Sequence, residues 1–92
     1  MNRTSLLHDA AMRAADEKRY SAAAALEQNA ARRCRVEPSR SILFRSAAGL
    51  AQRAGATDQA RALAREGLRG TPPADIRAEL EELLAACTQA AP

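Results

Sequence analysis

A chain of 92 residues has room for one small domain with a limited core. It is 47% hydrophobic but only 2% aromatic, with one Phe, one Tyr and no Trp, and alanine is its commonest residue. Alanine favours helix and lets helices approach closely yet buries little area, so the composition predicts an all-α domain with a thin core.

The net charge is +3, from 14 Lys and Arg against 11 Asp and Glu. No stretch is apolar enough for a membrane span or a leader segment, so a cytoplasmic protein is expected. Cys34 and Cys87 lie far apart, without CxxC or Cys/His ligand spacing. Reduced thiols are therefore expected rather than a disulfide framework or a zinc site, and no cofactor is implied.

Five antiparallel helices are predicted in chain order. The first runs from about Thr4 to Lys18, with Leu7, Ala10, Ala11 and Ala14 at i, i+3, i+4 and i+7. The second runs from about Tyr20 to Cys34, burying Ala23, Leu26 and Ala30 and ending in Arg32 and Arg33, where cations suit the helix dipole. Pro38 breaks the pattern and restrains Glu37 before it. Ser39 or Ser41 then caps a third helix through Ala54, with Gly55 at its stop. Thr57 caps a fourth helix, about Asp58 to Arg69, and Gly70-Thr71-Pro72-Pro73 is a second break. The fifth helix carries Ile76, Leu80, Leu83, Leu84 and Cys87 on one face, with Thr88 to Pro92 as a tail.

Phe44, Ala48, Gly55, Ala60, Leu68 and Pro72 fall at the spacings of a helix-turn-helix repeat about 34 residues long. The run GATDQARALAREGLRGTPP resembles the second helix of a tetratricopeptide (TPR) repeat, with Phe44 and Ala48 at the matching positions of the first. Ala51, Thr57 and Ala64 replace bulkier residues of that pattern. A weaker copy lies upstream in Leu7, Ala11, Tyr20, Ala23 and Ala30, with Glu27 where an apolar residue is expected. The stretch EPSRSILFRSAAGLAQRAG followed by GTPPADIRAELEELL also resembles small bacterial helical-repeat proteins of unassigned role. The resemblance implies one domain over 1–92: a hairpin over about 4–36, a second over 39–70, and a capping helix over 72–87. Two and a half repeats fall short of a stable stack, so a homodimer or a larger partner is expected to complete the core.

What the resemblance implies for function is a protein-protein adaptor. Its groove would be lined by the first helix of each hairpin: His8, Met12 and Asp16, then Ile42, Arg45, Gly49, Gln52 and Arg53. Repeats that clamp a peptide carboxylate pair a basic residue with an Asn four positions on; here Arg45 is followed by Gly49, with Arg53 as a second cation.

Charge supplies the rival readings. Nine arginines lie between Ala31 and Arg69, while the last helix holds Asp75, Glu79, Glu81 and Glu82. Arg61, Arg65 and Arg69 recur every four residues as a basic ridge, which suits phosphates or an acidic surface. One alternative is thus a nucleic-acid-binding regulatory module, weakened by the lack of aromatic platforms. Another is an antitoxin-like or operon-encoded accessory subunit. Catalysis is not expected: His8 is the only histidine and Asp9 points about 100° away from it around a helix. Cys34 has arginine neighbours but no His or Asn constellation to activate it.

Overall fold

A computed structural model describes the backbone of residues 3–90 and the side chains of residues 9–89. It contains four helices: α1 (Arg3–Arg33), α2 (Ser39–Arg53), α3 (Thr57–Leu68) and α4 (Ala74–Ala90). The all-α class holds, and no strand occurs among the described residues. Helix α1 packs on α2, α2 on α3 and α3 on α4, and α4 returns to touch α2.

The count of five helices is corrected to four, because the first two expected helices are one. Helix α1 runs unbroken for 31 residues through the expected turn at Lys18 to Tyr20. Residues 3–33 contain no Gly or Pro, and Ala22 to Ala25 follow the expected turn directly. With no stop signal, the high helix propensity carries the chain straight on. At 1.5 Å per residue α1 is about 46 Å long. It accounts for the longest dimension of a 50 × 26 × 19 Å molecule.

The buried face of α1 is also corrected. Ala24 and Ala31 are fully buried, whereas Leu26 is 72% exposed. Four consecutive alanines carry no periodic signal, so polar contacts reveal the rotation instead. Gln59 Nε2 donates to Gln28 Oε1 at 3.0 Å, and Arg32 forms a two-pronged pair with Glu66. Both contacts turn the Ala24–Ala31 side towards the bundle and Leu26 away from it.

Helix ends show what punctuates the rest. Gly55 adopts φ +79°, and its N–H donates to Gln52 O while the Ala56 N–H donates to Ala51 O. That pair of bonds closes α2 as a Schellman stop, the role expected of Gly55. The expected hydroxyl caps differ. Pro38, not a serine, precedes α2, and Glu37 Oε1 accepts the Ser41 N–H at 2.9 Å. The Ser41 hydroxyl donates to Pro38 O. Ala56 precedes α3 without a side-chain cap, and Thr57 is already inside the helix. Helix α4 continues to Ala90, so Thr88 to Ala90 are helical rather than tail.

The core is thin, as composition predicts. Among the described residues, the buried apolar set is Ala24, Ala31, Ala47, Ala48, Ala51, Ala60 and Ala64 around Phe44, Leu63, Ile76, Leu80 and Cys87. Gly67 lies where α2, α3 and α4 converge. A Cβ there would stand 2.9 Å from Phe44 Cβ and 3.0 Å from Leu80 Cδ1, so only glycine permits this approach.

Candidate functional site

Helices α2 and α4 run side by side with a groove between them. Arg45, Gly49 and Gln52 of α2 face Glu79, Glu82, Leu83 and Ala86 of α4 across a cavity of ≈ 500 Å³. A second cavity of ≈ 350 Å³ continues it past Ser46, Leu50 and Arg53. Both share Arg45, Gly49, Gln52 and Leu83, so they form one trough. Helical spacing explains the lining, since positions 45, 49 and 52 recur on one side of α2 while Phe44, Ala48 and Ala51 point to the core.

The floor is low because it is nearly bare. A Cβ at Gly49 would meet nothing within 4 Å. This glycine therefore answers no packing demand of the monomer. One wall is cationic and the other acidic, and they meet where Arg45 Nη1 donates to Glu79 Oε2 at 2.8 Å. Arg45 is thus already engaged, which departs from the carboxylate clamp implied by the resemblance. Arg53 lies at the far end, its guanidinium 5.9 Å from the Tyr20 ring.

The structure brings together Arg45, Gly49, Gln52 and Arg53 from the expected groove. Ile42 is 37% exposed, seven residues before Gly49 and so on the same side of α2. The opposite wall comes from α4, a contribution the sequence reading assigned only to a cap. Met12 is 50% exposed and Asp16 pairs with Arg19 on its own helix, so neither lines this trough. The His8 side chain lies outside the described residues.

Part of the basic middle of the chain is built into the fold. Arg40 donates to the Glu66 and Gly67 carbonyls at the end of α3 and covers the Phe44 ring at 4.9 Å. Arg61 donates to Cys87 O and to Asp58, bracing α3 against α4. The ridge of Arg61, Arg65 and Arg69 is therefore not uniform: Arg65 and Arg69 are exposed, while Arg61 is a strut. No family model, curated protein or solved structure matches the chain.

The arginine struts have an electrostatic signature. Arg32 donates from Nη2 to Glu66 Oε1 at 2.7 Å and from Nε to Oε2 at 3.2 Å. These bonds hold the Glu66 carboxyl below its ordinary 4.5 and raise Arg32 in turn. A separate cleft beside them takes in Arg32, Cys34, Arg35 and Arg40. There the Cys34 thiol donates weakly to Val36 O at 3.5 Å, and Cys87 is a buried free thiol. Neither cysteine has a histidine neighbour among the described residues.

Proposed function

We propose that this chain is a non-enzymatic, TPR-like adaptor whose working surface is the α2–α4 trough. The observation that carries this reading is the open floor at Gly49 between walls of opposite charge. Mid-helix glycine costs about 1 kcal/mol relative to alanine. Its presence at a position with free space above it suits close approach by another backbone. Leu83, Ala86 and Leu50 offer apolar contact, while Arg53 and Glu82 can orient a bound segment by its charges. An amphipathic helix or extended peptide, laid along the trough, fits this chemistry. The four-helix order also supplies a hairpin, α2–α3, followed by a closing helix, which supports the repeat reading.

Two variants test the surface. Gly49→Trp fills the trough, and Arg45→Glu with Arg53→Glu reverses its basic wall. Both are expected to lose partner capture in pull-downs while circular dichroism retains the helical signal. Capture unchanged in both folded variants would sink the proposal.

A further inference from the structure

We propose that the trough is occupied by a second copy of this chain: the first half of α1 from one molecule lies along the α2–α4 trough of another, and the exchange is reciprocal. This rests on the trough being the working surface and names its occupant.

Four observations converge on it. The first is an excess of surface. The chain exposes 6083 Å², against about 5,200 Å² for a folded monomer of 9.8 kDa. The excess, about 900 Å², is close to the roughly 800 Å² that each partner buries in a standard interface. The radius of gyration agrees, at 14.9 Å against about 12 Å for a compact domain of this length.

The second is a stretch of helix with no packing surface of its own. Of residues 9–19, every side chain is exposed except Asp16, which pairs with Arg19. Three turns of helix therefore stand without a packing surface, although an isolated segment under about 15 residues is marginal in water. The third is fit. From Ile42 to Arg53 the trough side of α2 spans about 17 Å, some three turns, matching that free segment. The alanine face at Ala10 and Ala14 suits close approach over the bare Gly49 floor.

The fourth is reach. Helix α1 leaves the bundle at Tyr20, beneath Arg53, and Arg53 lines the trough. The free segment starts at the rim of its own trough and runs on past it, because α1 continues as one unbroken helix. While α1 stays straight, the segment meets such a trough only on another molecule. Reciprocal exchange then closes a two-fold dimer with two equivalent contacts and leaves neither trough empty.

Light scattering and sedimentation on the full chain test this. Wild type is expected at twice the monomer mass. Ala10→Glu/Ala14→Glu removes the donated face, and Gly49→Trp blocks the acceptor, each weakening the dimer about 30-fold or more. Circular dichroism controls for folding. Mixing the two variants is the decisive arm, since one intact donor then meets one intact acceptor and a heterodimer returns. A folded wild-type monomer at high concentration overturns the exchange but leaves the trough reading to its own pull-down test. A dimer that survives Gly49→Trp, or a mixture that stays monomeric, also overturns it.

Discussion

Helix α2 and the first half of α1 are built from the same material and behave differently. Ala47, Ala48 and Ala51 are fully buried, whereas Ala10, Ala11, Ala14 and Ala15 are all exposed. Alanine does not decide its own burial. In α2 the alanines flank Phe44, and α3 and α4 bring Leu63 and Leu80 against the same core. Residues 9–19 have Met12 as their only large apolar side chain, and it is half-exposed. A few bulky anchors thus separate a packed helix from a free one, because alanine supplies closeness but little burial.

Truncating an anchor should break this contrast most severely. Phe44→Ala is expected to cost about 3–5 kcal/mol, a large share of the stability of a domain this small. Leu26→Ala, by comparison, removes a side chain 72% exposed on α1. It should change stability by under about 0.5 kcal/mol. Chemical denaturation of both variants checks the pair, and equal losses would mean that Leu26 is buried in solution. Hydrogen exchange sharpens the same point: amides of 44–51 should be protected to near the global limit, and those of 9–19 far less in any monomeric variant.

The same contrast explains what could be read from the residues. Gly55 and Pro38 are local punctuation, and both breaks are legible without tertiary information. Phe44, Ala48, Ala60, Ile76 and Leu80 are periodic positions, and all are buried. The expected turn near Tyr20 is absent because apolar spacing alone suggested two segments there, while no Gly or Pro stands between them to stop a helix. Leu26 misled because bulk implies burial only where a partner surface exists, and Gln28 and Arg32 find their partners on α3, 31 and 34 residues away. The α2 half of the trough followed from the repeat resemblance, carried over position by position. Its α4 wall did not, since a pair such as Arg45 with Glu79 becomes visible only once the helices are placed.

Two glycines sharpen the comparison at smaller scale. Gly67→Ala drives a methyl against Phe44 and Leu80 at the convergence of three helices. The expected loss is about 1–3 kcal/mol, the usual range for overpacking. In a monomeric background such as Ala10→Glu/Ala14→Glu, Gly49→Ala adds a methyl into open space and should gain up to about 1 kcal/mol from helix propensity alone. Opposite signs in thermal melts would separate a glycine required by packing from one that leaves a surface open. A loss at Gly49 of the size expected at Gly67 would show that the monomer itself needs that bare floor.

A further modest effect is expected where α1 is fastened to the bundle. Arg32 holds the Glu66 carboxylate by two hydrogen bonds, and this depresses its pKa below the ordinary 4.5. A carboxyl depressed on folding contributes stability that is present above its unfolded pKa and is lost as pH falls through its folded one. The Arg32 side chain is half-exposed, so solvent screening keeps the contribution small. Glu66→Gln should cost about 0.5–1 kcal/mol at neutral pH, or roughly 2–8 °C in Tm. The gap between variant and wild type should close as the solution is acidified below pH 4.5, where the native carboxyl also becomes neutral. Arg40 still holds the Glu66 backbone carbonyl in the variant, so α2 and α3 remain joined and only the fastening of α1 is weakened. Melts across acid pH check this, and a gap that widens on acidification would show that the pair does not fasten α1.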